Sequence, residues 1–138
     1  MINNFKRDWP ELSVTVLCDT DFLVALYITE DLNHAKANEI LNKYNSFIVT
    51  NITFYEVLTV LSRKLEQLIA IKILNQIQKD FSNILIFDQG WELEVYKIYT
   101  SFEKKNISFF DCACLFLATE NNFKIASFDK FYPIDVLV

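Results

Sequence analysis

The feature that most constrains this chain is a series of short, mostly apolar runs separated by longer segments of helical spacing. The runs are VTVLC (14–18), FIVT (47–50), ILIF (84–87), KIAS (124–127) and IDVLV (134–138). Short runs without polar alternation are typical of strands that are covered on both faces. Their alternation with helical segments predicts an α/β fold around a central parallel sheet of about five strands.

The segments between these runs predict six helices. They cover residues 21–29, 33–44, 53–66, 69–80, 90–105 and 109–122. In the fifth segment the apolar residues recur on one helical face, which indicates an amphipathic helix. In the sixth, DCACLFLAT (111–119) is apolar all round after its first residue and predicts a buried helix.

The length of 138 residues suits one domain with its own core. We expect residues 1–13 to form a polar surface tail and residues 14–138 to form the domain. No apolar stretch approaches the ~20 residues of a membrane span, so we expect no membrane contact and a cytoplasmic location. Cys18, Cys112 and Cys114 lie in apolar runs, which favours free, packed thiols over disulfides.

Composition excludes several classes of function. The single glycine rules out a GxGxxG turn and a Walker loop, the usual nucleotide-binding motifs. The single histidine rules out a nuclease that uses two histidines as acid and base. A net charge of −5 disfavours nucleic-acid binding through a broad basic surface, but it is compatible with a nuclease that has a local acidic site.

Four acids each lie just after a predicted strand or near the start of a predicted helix. Asp19 follows the first strand, Glu56 lies early in the helix after FIVT, Asp111 opens the buried helix, and Asp129 follows KIAS. In an open α/β sheet the ligand crevice lies outside the carboxyl ends of the strands. We therefore expect these four carboxylates, from four separate segments, to meet there.

A purely structural explanation exists for each acid. Thr53-x-x-Glu56 and Ser108-x-x-Asp111 match the capping box, in which the acid accepts from the backbone N–H of the cap residue. The other two acids could each begin a turn. This explanation treats four acids separately, whereas a single metal site accounts for all of them.

A cluster of carboxylates has a definite chemistry. Like charges within ~4 to 6 Å raise each other's pKa, so the cluster favours a bound cation. Oxygen ligands without Cys or His select Mg²⁺ or Mn²⁺. Such ions lower the pKa of bound water and clamp phosphoryl oxygens, which suits the hydrolysis of phosphodiesters.

Three motifs together resemble the PIN domain, the fold of many metal-dependent ribonucleases that include the VapC-type toxins. They are CDTDFLVAL, then NITFYEVLTVL, then ISFFDCACLFLATENNFKIASFDKFY, and the resemblance covers residues 14–138. It implies a three-layer α/β/α sandwich and an Mg²⁺- or Mn²⁺-dependent ribonuclease, the toxin of a type II toxin–antitoxin module. It also implies an RNA substrate, an antitoxin partner and a homodimer.

The resemblance extends to individual positions. Asp19, Glu56, Asp111 and Asp129 match the family's acidic quartet, which holds one or two divalent ions. As supporting residues, Thr20 and Ser127 match positions that are small or polar in the family, and Asp21 stands where Asn or Ser is more frequent. Candidate phosphate contacts are Arg63, Lys64, Lys124 and Lys130.

Two other functions fit parts of the sequence. VTVLCDTDFL also resembles the opening of haloacid-dehalogenase-type phosphatases, with Asp19 as nucleophile and Asp21 as acid and base. That interpretation leaves Glu56 and Asp111 without a role. A catalytically silent PIN-like domain that acts as a binding module is the third interpretation, and the sequence alone does not separate it from an active nuclease.

Overall fold

The computed structural model describes residues 14–103 and 106–138. These residues form four strands and six helices. In chain order they are β1 (Thr15–Cys18), α1 (Thr20–Tyr27), α2 (His34–Lys43), β2 (Ser46–Thr50), α3 (Asn51–Lys64), α4 (Gln67–Asp80), β3 (Ile84–Leu85), α5 (Gln89–Ser101), α6 (Phe109–Asn121) and β4 (Lys124–Ala126). None of the helices in the described ranges has the length and apolar character to cross a membrane.

All four strands are parallel and lie in the order β3-β2-β1-β4, which confirms the predicted α/β class. The chain runs from β1 through β2 to β3 on one side and returns to β4 on the other side of β1. In open α/β sheets ligands bind outside the carboxyl ends of the strands at such a reversal. Asp19 directly follows β1, and Ser127 directly follows β4, so both lie at this point.

Helices cover both faces of the sheet, as the sandwich architecture requires. Successive residues of β1 point to opposite faces: Val16 and Cys18 pack in a core with residues of α1, α3 and α4, and Leu17 packs with residues of α6 and β4. All three side chains are fully buried. β1 is therefore the centre of the fold, which explains why its sequence is apolar throughout.

The predicted fifth strand, IDVLV (134–138), is wrong. The structure reduces it to a single parallel bridge between Ile125 and Leu137, flanked by hydrogen bonds from Ile125 N to the Val136 carbonyl (2.7 Å) and from Val138 N to the Ile125 carbonyl (3.0 Å). Val136 N donates to the Pro133 carbonyl at 3.1 Å. The chain is therefore still turning up to residue 136, and too few residues remain beside β4 to extend the pairing.

Other boundaries differ by a few residues. β3 has two residues instead of the predicted four, and the predicted helix 90–105 becomes Gln89–Ser101. Residues 1–13, predicted to form a surface tail, lie outside the described residues, as do residues 104 and 105. The three cysteines are buried and free, as expected from their apolar surroundings.

Candidate active site

A cavity of about 530 Å³ opens at the carboxyl edge of the sheet. Its walls bring together all four acids of the predicted quartet. The acidic lining residues are Asp19, Asp21, Asp31, Glu56, Asp111 and Asp129, and the cations Arg63 and Lys64 also line it. All four predicted acids thus line one cavity, together with Asp31, which was not among the predicted residues.

Asp19 is the most deeply placed of these acids, with only 4% of its surface exposed. It is the N-cap of α1, and its Oδ1 accepts from Thr20 N at 2.9 Å. Its Oδ2 accepts from the hydroxyls of Ser127 (2.9 Å) and Tyr132 (3.1 Å). The Cys114 thiol lies 3.9 Å from Oδ1. Both carboxylate oxygens are therefore held in a fixed orientation.

The surroundings of Asp19 disfavour its charge. Burial, followed by the nearby charges of Asp21 and Asp111, raises its pKa from 3.8 to about 7, against the hydrogen bonds from Thr20 N and Ser127. Removing a carboxylate from water penalises its ionised form. An opposite charge in the cavity would therefore stabilise ionised Asp19.

Asp21 connects α1 to the segment after β4. Its carboxylate accepts from Ser127 Oγ at 3.1 and 3.2 Å and from Phe128 N at 3.0 Å. Burial raises its pKa to about 6. Asp21 thus lines the cavity and also fixes the position of Ser127, which in turn contacts Asp19.

Glu56 does not form the predicted capping box with Thr53. The N-cap of α3 is Thr50, three residues earlier, and its Oγ1 accepts from Thr53 N at 3.0 Å. The Glu56 carboxylate instead accepts from the Thr20 hydroxyl, so it links α3 to α1. Burial, followed by the charge of Asp111, raises the pKa of Glu56.

Asp111 forms the capping box considered for it and also lines the cavity. The capping box is present: Asp111 N donates to Ser108 Oγ at 3.1 Å, and Asp111 Oδ2 accepts from Ser108 N at 3.5 Å. The half-buried side chain also lines the cavity. Burial and then the Asp129 charge raise its pKa, against the Ser108 hydrogen bonds.

Asp129 is exposed at the edge of the cavity in a local turn. Its Oδ1 accepts from Phe131 N at 3.0 Å, and its own N–H donates to Ser127 Oγ at 3.1 Å. The adjacent Lys130 is exposed and is not part of the cavity lining. Lys124 begins β4, at the opposite edge of the sheet, and donates to the Asp135 carbonyl. Its prediction as a phosphate contact at this site is therefore wrong.

Two residues around Asp19 were not anticipated from the sequence. Tyr132 is 4% exposed and donates to Asp19, and Cys114 lies on the face of α6 that turns toward the same carboxylate. Both are 95 or more positions away from Asp19 in the chain. Nothing in the local pattern of FYPID or DCACLF signals such contacts, because they depend on how distant segments pack.

The acids offer the oxygen donors that a hard divalent cation prefers, but their side chains are not spaced to hold one ion. Within residues 14–103 and 106–138, no three His, Cys, Asp or Glu side chains are close enough together to hold one ion. The acids nevertheless raise each other's pKa: Asp111 acts on Asp19 and Glu56, and Asp129 acts on Asp111. Oxygen-only donors with mutual repulsion suit Mg²⁺ or Mn²⁺.

The arrangement does not favour the phosphatase interpretation. Glu56 and Asp111 contribute to the same cavity without a part in that chemistry.

Solved structures with the same fold come from bacteria and an archaeon. VapC20 of Mycobacterium tuberculosis, described as a sarcin-ricin loop cleaving toxin, matches with a TM-score of 0.78 and 16% identity, covering 89% of this chain and 96% of that one. PAE2754 of Pyrobaculum aerophilum matches with a TM-score of 0.63 and 17% identity, covering 86% and 76%. VapBC2 of Rickettsia felis, bound to a promoter DNA fragment, matches with a TM-score of 0.66 and 18% identity, covering 91% and 96%.

At these identities the similarity demonstrates a shared fold. No curated protein sequence matches the chain significantly. The sequence model of the PIN domain matches residues 16–132, a span that contains all four acids of the quartet. The chain therefore belongs to the PIN domain family.

Proposed function

We propose that this protein is a metal-dependent ribonuclease that hydrolyses RNA phosphodiester bonds. The observation that carries the proposal is the convergence of Asp19, Glu56, Asp111 and Asp129 from four segments on one cavity at the switch point of the sheet. Helix capping accounts for Asp111 and in part for Asp19, but it does not explain why all four acids share one cavity.

The proposed cofactor is Mg²⁺ or Mn²⁺. Asp19, Asp111 and Asp129 would hold the ion, and Glu56 would either bind a second ion or orient water. A bound ion would lower the pKa of water and offset the charge of the phosphate that is attacked. It would also offset the repulsion that raises the pKa values of the acids.

The protein's own residues orient these groups. Ser127 and Tyr132 fix the Asp19 carboxylate, and Asp21 fixes Ser127. Burial, followed by the charge of Asp111, raises the pKa of Glu56 and so makes its carboxylate a stronger proton acceptor. Its hydrogen bond from the Thr20 hydroxyl orients the carboxylate at the cavity wall. Glu56 would accept the proton of the attacking water.

We further propose that the nuclease is the toxin of a type II toxin–antitoxin module. Support comes from structures that share its fold: VapC20 is described as a toxin, and a toxin–antitoxin complex from Klebsiella pneumoniae matches with a TM-score of 0.63 and 17% identity, covering 89% of this chain and 95% of that one. The biological role is thus inferred from fold relatives, whereas the chemistry is inferred from the cavity.

Exposed apolar side chains on α4 and α5, two helices that pack in different apolar clusters, are candidate contacts for a partner. Leu68, Ile69, Leu93 and Tyr96 are 74%, 45%, 63% and 56% exposed. We propose that these residues are covered by an antitoxin or by a second copy of the chain in a homodimer. Light scattering of the purified protein tests the homodimer. Co-purification with the product of any small open reading frame next to its gene tests the antitoxin complex.

The test of the enzymatic proposal is cleavage of a single-stranded RNA in Mg²⁺, Mn²⁺ or EDTA. We expect cleavage only with a divalent ion and a loss of at least about 100-fold in Asp111→Asn, since one carboxylate of the cluster is removed. Asp135→Asn is the matched control, because Asp135 is exposed and does not line the cavity. It should retain full activity.

Three results would contradict the proposal in different ways. Cleavage that persists in EDTA would exclude the metal-dependent mechanism. Hydrolysis of a phosphate monoester that survives Asp111→Asn would favour the phosphatase interpretation. RNA binding without cleavage in any divalent ion would favour a silent binding module.

A further inference from the structure

One side of α3 forms a continuous wall that leads away from the carboxylates. Its cavity-lining residues are Tyr55, Glu56, Thr59, Val60, Arg63 and Lys64. Positions separated by four and by seven or eight residues lie on the same side of a helix. The wall therefore changes from an acid at one end to two cations at the other, about 10 Å further along the helix axis.

Tyr55 is an exposed aromatic residue on this wall. Its side chain is 68% exposed, and it belongs to none of the apolar clusters formed by the described residues. Its hydroxyl has no hydrogen-bond partner within the described ranges. The ring therefore makes no packing contribution that would explain its presence beside Glu56.

Phe110 is a second aromatic residue that is adjacent in sequence to an acid of the quartet. It directly precedes Asp111 and lines the same cavity. Its neighbour Phe109 packs into the core against Val95 and Cys112, whereas Phe110 is absent from all of the clusters of described residues. Two aromatic rings, each adjacent in sequence to a quartet acid, thus face the cavity instead of the core.

The cations at the far end are also available. Among described side chains, the single ion pair joins Lys97 and Glu94, so neither Arg63 nor Lys64 is paired with an acid there. Both are exposed at the C-terminal end of α3. Aromatic faces followed by free cations along one groove are the elements that bind single-stranded nucleic acid.

We propose that Tyr55 and Phe110 form a stacking subsite for an unpaired base next to the scissile phosphate, and that Arg63 and Lys64 bind the backbone beyond it. The inference rests on the proposed ribonuclease function and assigns the residues that would hold the RNA beside the carboxylates. A base in a duplex is stacked and paired, so it presents no free face to Tyr55. Stacking also tolerates any base, so this subsite selects strand state more than sequence.

The experiment pairs protein variants with RNAs that lack one base. A single-stranded RNA with a mapped cleavage site is compared with two versions that are abasic at the nucleotide on either side. We measure kcat/KM for wild type, Tyr55→Ala and Tyr55→Phe. Tyr99→Ala is the matched control, since Tyr99 is 42% exposed on α5 and lies outside the cavity lining.

Loss of one stacked base costs about 5- to 150-fold, so Tyr55→Ala should lose that much activity on intact RNA. Tyr55→Phe should stay within about threefold of wild type, because the ring remains. On one of the two abasic RNAs, Tyr55→Ala should equal wild type. An equal loss on all three RNAs, or less than a twofold loss on intact RNA, would overturn the proposal.

Failure of the ribonuclease proposal is recognised separately, because wild type then fails to cut intact RNA. In that case fluorescence anisotropy with the intact single-stranded RNA still measures whether Tyr55→Ala weakens binding relative to wild type and Tyr99→Ala. If affinity is unchanged by Tyr55→Ala, the stacking subsite is refuted whatever the activity. If the RNA annealed to its complement is bound as tightly as the single strand, the assignment of strand state is refuted.

Discussion

The raised pKa of Asp19 predicts that the protein becomes less stable as pH rises and that divalent ions restore the lost stability. The pKa of Asp19 is about 7 in the folded protein, against an ordinary value of 3.8. Each pKa unit is worth about 1.36 kcal/mol, so this difference corresponds to a pH-dependent contribution of about 4 kcal/mol to the free energy of unfolding. The folded protein retains a proton that the unfolded chain has released. This contribution is therefore fully present below about pH 4 and is lost as pH rises to about 7.

The part of this contribution that can be measured by unfolding lies between pH 5 and pH 8. Over that interval the contribution of Asp19 falls by about 3 kcal/mol. For a chain of this length the loss corresponds to about 10 °C in Tm. The assay is thermal unfolding in EDTA at pH 5, 6, 7 and 8. Asp19→Asn is the control, because a neutral amide of the same shape removes this titration, and the variant should show a flatter profile.

Divalent ions should act in the opposite direction at high pH. At a concentration 100 times its Kd, Mn²⁺ stabilises the folded state by about 2.7 kcal/mol, which restores most of the loss at pH 8. Asp19→Asn should not gain this stabilisation. Wild type with an unchanged Tm between pH 5 and 8, or Mn²⁺ that raises the Tm of Asp19→Asn equally, would refute the assignment of Asp19 as a buried ligand.

Three further outcomes follow from single contacts. Tyr132→Phe removes the hydroxyl that donates to Asp19 and should lower the free energy of unfolding in urea by about 2 kcal/mol, while weakening Mn²⁺ binding in calorimetry. Retained Mn²⁺ affinity would show that the hydroxyl has no part in positioning Asp19. Thr50→Ala removes the side-chain cap of α3 and should lower the free energy of unfolding by about 1 kcal/mol, with Mn²⁺ affinity unchanged. Arg63→Ala should weaken RNA binding and its salt dependence in fluorescence anisotropy, whereas Lys124→Ala, at the opposite edge of the sheet, should leave both unchanged.

Sequence patterns predicted the architecture and the acids because both depend on signals that are local. A buried strand followed by an acid places that acid at the edge of the sheet, whichever helices pack beside it. The capping box at Ser108 was also local, and it is present. The box at Thr53 was wrong because Thr50 offers an earlier cap with the same chemistry, and two hydroxyl residues within one turn give an ambiguous pattern.

The contacts that orient Asp19 could not be predicted in this way. Tyr132 and Cys114 reach it only because β4 and α6 pack against β1, and neither residue type signals that role. The prediction of a fifth strand was wrong for a related reason. IDVLV has the composition of a strand, but the turn from Pro133 to Val136 uses the residues that would have paired.

The position of β1 between β2 and β4 also determines when the cavity can exist during folding. β2 is close to β1 in sequence, whereas Ser127, which contacts Asp19, is 108 residues away. Contacts between such distant segments form slowly, because a long loop must close before they contribute stability. A partly folded intermediate of β1, β2 and β3 would lack Asp111 and Asp129. The cavity lined by all four acids is therefore complete only once α6 and β4 have packed against β1.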